Sequence, residues 1–132
     1  MRVYRGVVRS AFNEVHLAVL DIVELLKSKC GIEDRELLFK INFTLREVMN
    51  NAVEHGNAFD ESKKITCEVF KEDNTLIFEV EDEGEGIDFE ANPFNVDKDY
   101  VLRERNRGIQ VIQDLDFRVS FNGNRIRLEL DV

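Results

Sequence analysis

Cysteine, proline, long apolar runs and positive charge are all scarce in this 132-residue sequence, and each scarcity removes a class of function. The two cysteines, Cys30 and Cys67, are far apart, form no CxxC pair and have no histidine at metal-ligand spacing. A disulfide framework and a zinc site therefore lack support, and reduced, packed thiols are expected. The single proline is not accompanied by any repeat, low-complexity tract or linker, so residues 1–132 read as one domain. The longest apolar stretch, Val15 to Leu26, is broken by Asp21 and Glu24, and Met1-Arg2-Val3-Tyr4-Arg5 opens no run of signal-peptide length. A cytoplasmic protein with no membrane span is the expectation. Lys and Arg number 18 against 27 Asp and Glu, a net charge of −9. Nucleic-acid binding draws on Lys and Arg displacing counterions from phosphates, so DNA or RNA is not an expected partner.

The chain does have enough apolar character for one core: 43% of its residues are hydrophobic, and a domain of this size buries roughly two thirds of its unfolded surface. Residues Arg2 to Arg9 are strand-type with weak alternation. Phe12, Val15, Val19, Ile22 and Leu26 recur at helical spacing, with Gly31 as the stop. A second, longer helix follows Asp34, its buried face made by Leu37, Leu38, Ile41, Leu45, Val48, Met49 and Ala52, with Gly56 near its end. Ile65, Cys67, Val69 and then Leu76, Phe78, Val80 alternate about an Asp73-Asn74 turn, which predicts a hairpin. A short helical pattern covers Ile109, Val111, Ile112 and Leu115. A last hairpin runs through Phe117, Val119 and Phe121, turns at Asn122-Gly123, and returns through Ile126, Leu128 and Leu130. This order predicts an α+β two-layer sandwich, with helices packed on one face of a mixed, mainly antiparallel sheet. The 23 residues from Gly84 to Asn106 show no period, and so long a loop in a compact domain usually binds or covers something.

Three patterns carry possible chemistry. In the second helix Glu47, Asn50, Asn51, Glu54 and Asn57 fall at i, i+3, i+4, i+7 and i+10, a stripe opposite the apolar face. Paired asparagines are poor helix formers, so a solvated face alone would favour other residues. A carboxamide oxygen suits Mg²⁺ beside phosphate oxygens, and a carboxylate one turn away suits a general base. In the next hairpin, strand parity puts Asp82 on the apolar row of Leu76, Phe78 and Val80, while Glu79, Glu81 and Glu83 point the other way. A carboxylate in that row needs a donor such as an adenine amino group, and Gly84 and Gly86 let a backbone pass close to a flat ligand. Third, Arg103, Arg105 and Arg107 lead through Gly108 into the short helix, whose N-terminus is suited to anions. Taken singly, each pattern also has an ordinary reading: a wet helix face, an aspartate-capped turn, a basic helix start.

Their order along the chain resembles the GHKL-type ATPases, and most closely the stand-alone anti-sigma factor serine/threonine kinases. Arg46-Glu47-Val48-Met49-Asn50-Asn51-Ala52-Val53-Glu54-His55-Gly56 looks like the first motif of that family, Asp82-Glu83-Gly84-Glu85-Gly86-Ile87 like its adenine-binding motif, and Arg107-Gly108 like the motif after its nucleotide lid. The resemblance implies the Bergerat-type fold and a kinase that uses ATP and Mg²⁺. Such a kinase phosphorylates a STAS-domain antagonist, alternatively sequesters a sigma factor, and forms a homodimer through the first strand and helix. It further implies that Glu47 is the catalytic base, that Asn51 holds the metal, and that Asp82, Gly84, Gly86, Arg105, Arg107 and Gly108 bind nucleotide.

Two places depart from the family pattern. Asn106 stands where the lid has a glycine, and Gly123-Asn124-Arg125 stands where glycine is followed by two threonines, one of them an adenine contact that Asn124 can replace. These departures motivate an alternative of another class, a regulatory module that holds nucleotide and sequesters a partner without transferring phosphate. The net charge also acquires a location. Between Ile77 and Glu104 ten acids face two bases, Lys98 and Arg103. An ATP polyanion would be repelled there without a divalent cation and the neighbouring Arg105 and Arg107, so nucleotide binding is expected to depend on Mg²⁺.

Overall fold

The computed structural model describes residues 1–84 and 107–132. Gly86, Arg105, Asn106 and nearly all of the long acidic loop lie outside the described residues.

Strand β1 (Arg2–Arg9) leads directly into helix α1 (Phe12–Cys30), which buries Val15, Ala18, Val19, Ile22 and Leu26, the stripe its sequence spacing predicts. The helix stops where Gly31 turns left-handed (φ 65°), and the Gly31 and Ile32 amides both return to the Leu26 carbonyl. Helix α2 (Arg35–Asn51) starts at Asp34, whose Oδ1 accepts from the Glu36 and Leu37 amides at 2.9 and 3.2 Å. It buries Ile41, Thr44, Leu45, Val48 and Met49.

Past Asn51 the backbone widens into one π-helical turn, Ala52–Gly56, closed by the Asn57 amide on the Ala52 carbonyl at 2.8 Å. The sequence reading continued the α-helix toward Gly56 and put Asn57 on the polar stripe. The wider turn instead rotates Asn57 inward, where it is fully buried.

Strands β2 (Lys64–Glu72) and β3 (Thr75–Glu81) form the hairpin turned at Asp73-Asn74. Residues 107–114 are helical and are called α3. Strands β4 (Arg118–Asn122) and β5 (Arg125–Asp131) close the chain. Asn122 pairs with Arg125, so the turn residues are Gly123 and Asn124, one position later than the sequence suggested. The sheet order is β1-β2-β3-β5-β4, and every pairing among the described residues is antiparallel.

The core lies between the sheet and the helices, around Phe78, whose ring meets Phe117 at 6.3 Å and an interplanar angle of 60°. Cys67 is buried in it, and burial pushes its thiol up to about 12, which leaves it an inert packing group. The opposite sheet face carries Glu79 and Glu81 paired with Arg125, Glu79 also with Arg127, and Arg118 paired with Glu129 and Asp131. Among the described residues no helix is long and apolar enough to cross a membrane.

Asp34 Oδ1 accepts both side-chain hydrogen bonds of the α2 N-terminus. Replacing it with alanine should therefore cost about 1 kcal/mol of stability, read as a lower urea midpoint at unchanged slope.

Candidate functional site

The site is built where three separate stretches of chain come together. On α2, Glu47 and Asn51 are one turn apart, and the Asn51 amide nitrogen approaches Glu47 Oε1 at 3.5 Å. With its nitrogen turned toward Glu47, Asn51 has its carbonyl oxygen as the group available to a cation. Helix α3 crosses beside them so closely that a Cβ built on Gly108 would lie 3.2 Å from Glu47 Oε1 and 3.5 Å from the Asn51 nitrogen. Only a residue without a side chain leaves room there for a ligand.

The third stretch is the end of β3. Asp82 follows the last strand residue, Glu81, and its Oδ1 accepts from the Gly84 amide at 2.9 Å. The carboxylate packs on the π turn: a Cβ on Gly56 would fall 2.0 Å from Asp82 Oδ2, and one on Gly84 would fall 2.0 Å from the Gly56 carbonyl oxygen. Both glycines are required by this contact.

Between these stretches lies an open cleft, about 590 Å³ of free space with its mouth included. Its floor is apolar, made by Val48, Ala52, Val80, Ile109, Ile112 and Ile126, and Asn51, Asp82 and Asn124 stand at its edge. A flat, largely apolar ligand carrying a few hydrogen-bonding groups matches such a lining. A second recess is lined by Phe43, Glu47, Arg107, Gly108 and Val111. Gly108 lines both spaces, so they adjoin at the start of α3.

Of the residues singled out in the sequence, Glu47, Asn51, Asp82, Arg107 and Gly108 are gathered around these two spaces. Gly84 supports Asp82 from the turn behind it and does not line the cleft. Gly86 and Arg105 lie outside the described residues. Asn57 leaves the stripe for a structural post, donating to the Lys64 carbonyl at 3.2 Å and accepting from the Glu83 amide at 2.9 Å. Glu54 lines neither space, and its Oε2 lies 3.6 Å from His55 Nε2.

Asn124, which can replace the family's adenine contact, lines the cleft and donates its amide nitrogen to the carbonyls of Asp82 and Gly84, the latter at 3.2 Å. Arg125 also contributes to the cleft lining, while its guanidinium pairs with Glu79 and Glu81 on the far sheet face. The sequence reading missed Gly56 and Phe121. For Gly56 a signal was present, since a glycine between two polar residues at a helix end marks a close backbone approach. Phe121 shows only strand alternation in the sequence, yet it lines the cleft and stays exposed.

The donor set bears on whether a cation fits. Among the described residues no three His, Cys, Asp or Glu side chains gather into a metal cage. One carboxamide oxygen beside one carboxylate suits Mg²⁺, which keeps waters and takes most of its ligands from phosphates, and does not suit zinc or a caged Ca²⁺.

The family of histidine kinase-like ATPase domains matches this chain over residues 8–130. No curated protein matches it.

Because a methyl group at Gly56 has no space beside Asp82, Gly56→Ala should destabilise the fold by about 1–3 kcal/mol in denaturant unfolding and displace the carboxylate. Unchanged stability would show that the turn relaxes freely.

Proposed function

Because the chain belongs to the histidine kinase-like ATPase domain family, and is thus an ATP-binding module of the GHKL type, we propose that it is a protein serine/threonine kinase of the anti-sigma regulatory class. The observation that carries this reading is the placing of Glu47 beside both Asn51 and the Gly108 backbone, in a recess that adjoins at Gly108 the apolar cleft lined by Asp82. A carboxylate there is positioned as a general base, and the cleft is shaped for the base of a nucleotide.

In this reading the adenine ring lies on Val48, Val80 and Ile112, and its amino group donates to Asp82. The triphosphate extends along Gly108 toward Glu47, with Arg107 beside it. Asn51 would hold Mg²⁺, which when bound supplies charge neutralisation on the phosphates. Glu47 accepts the proton of an acceptor hydroxyl as that oxygen bonds to the terminal phosphorus and the bond to the ADP oxygen breaks. Glu47 and Gly108 supply position and a defined approach, which is most of what phosphoryl transfer asks of a protein.

The acceptor in this reading is a serine or threonine of a STAS-domain antagonist, and the second partner a sigma factor held in its place. A homodimer through α1 and β1 agrees with the exposed Leu17 and Leu20 on α1 and with β1 at the sheet edge. The setting is cytoplasmic.

The second reading, a module that holds nucleotide and a partner without transfer, is favoured by one observation. Asn124 spends its amide nitrogen on the protein backbone, at the position where the resemblance called for a contact to adenine.

A phosphotransfer assay with Mg-ATP and a STAS-domain protein separates the two. The kinase reading expects stoichiometric transfer in the native protein and a loss of about 10²–10⁴-fold in Glu47→Gln with ATP binding retained. ATP binding without transfer would select the second reading.

A further inference from the structure

We propose that Asn57 and Asn124 are positioning residues that clamp the Asp82-Glu83-Gly84 turn from two sides and thereby set which nucleobase the cleft accepts. The inference rests on the reading that Asp82 takes the adenine amino group, and it adds what holds that carboxylate in place.

The turn lies beyond the end of β3, where the sheet ladder no longer fixes it. Its backbone is held by side chains instead. From one side, buried Asn57 accepts from the Glu83 amide at 2.9 Å and donates to the Lys64 carbonyl at 3.2 Å. The Lys64 amide answers with a 2.7 Å bond to Glu83 Oε2, which joins the turn to the start of β2. From the other side, the Asn124 amide nitrogen donates to the Asp82 and Gly84 carbonyls, and the Asp82 amide donates back to the Asn124 carbonyl at 3.2 Å. The Gly84 amide closes on Asp82 Oδ1. Among the described residues, five of the six backbone polar groups of this three-residue turn, all but the Glu83 carbonyl, take part in these bonds.

Asn57 suits this task because its carboxamide offers a donor and an acceptor at fixed separation, and Asn124 because its amide nitrogen carries two hydrogens for two carbonyls. Aspartate would lose the donor, and a threonine at position 124 has one hydroxyl for two carbonyls. The consequence is chemical. Adenine presents an amino donor at the position where hypoxanthine presents a carbonyl acceptor. A carboxylate that cannot move accepts from the first and repels the second. A carboxylate on a loose turn can swing aside, and discrimination falls.

The test is a titration of the full chain with ATP and with inosine triphosphate, both with Mg²⁺, for the native protein, Asn124→Ala, Asn124→Asp and Asp82→Ala. The clamp predicts that in both Asn124 variants ATP affinity falls about tenfold more than inosine triphosphate affinity, so that the preference for ATP drops toward that of Asp82→Ala. If Asp82→Ala loses the preference but the Asn124 variants retain it, the clamp is wrong and the adenine reading stands. A preference untouched by Asp82→Ala overturns both. Equal weakening of the two nucleotides, or failure of both Asn124 variants to fold, would assign Asn124 a merely structural role and overturn the inference.

Discussion

The end of α2 and the end of β3 meet backbone to backbone, with Gly84 seated on the Gly56 carbonyl and Gly56 seated against the Asp82 carboxylate. Neither position has room for a Cβ, and the contact exists because the π turn swings Gly56 across to the sheet. It fixes the distance between the helix that carries Glu47 and Asn51 and the strand end that carries Asp82. The cleft walls are the two elements so joined, and Asn57, one residue further, bonds to the same turn. Moving this contact would move every group in the candidate site. Backbone strain accompanies it: Ala58 and Phe59, immediately after, both hold positive φ (50° and 61°), a conformation that side chains tolerate poorly and that surrounding contacts must enforce.

Much of this was legible from residue order. The apolar spacing of Val15, Val19, Ile22 and Leu26 and of Ile41, Leu45 and Val48 gave two helices with a common buried side, and the alternation around Asp73-Asn74 gave the β2–β3 hairpin. Strand parity separated Asp82 from Glu79 and Glu81, and the structure keeps that separation, with Asp82 at the cleft and the two glutamates on arginines. What periodicity could not carry was the change of helix type. A strict 3.6-residue repeat puts Asn57 with Glu47, and the single π turn sends it to the opposite side. Asn124 escaped for another reason. Its donors are consumed by the backbone of a turn 40 residues earlier, and no local pattern records a partner so distant.

Charge is divided between the two faces of the sheet. On the open face the carboxylates are neutralised one by one: hydrogen bonds from Arg118 hold Asp131, and from Arg127 and Arg118 hold Glu129, below the ordinary carboxylate range. These groups are solvent-exposed, so the pairs define the face more than they stabilise it. The helix side has an apolar floor edged by Asn51, Asp82 and Asn124. In the sequence the greater part of the acidic excess falls between Ile77 and Glu104, the stretch that contains Asp82. A triphosphate bound beside Asp82 would need its charge masked by a cation, and one carboxamide oxygen and one carboxylate, Asn51 and Glu47, are the groups that would suit Mg²⁺ there.

If α2, the end of β3, α3 and the Gly123-Asn124 turn form one nucleotide site, backbone amide chemical shifts recorded while Mg-ATP is added will show it. Perturbations should concentrate at Asn51, Asp82, Gly84, Gly108, Gly123 and Asn124, with Arg118, Glu129 and Asp131 on the opposite sheet face unmoved. Shifts centred on that opposite face, or no saturable shifts at all, would contradict it.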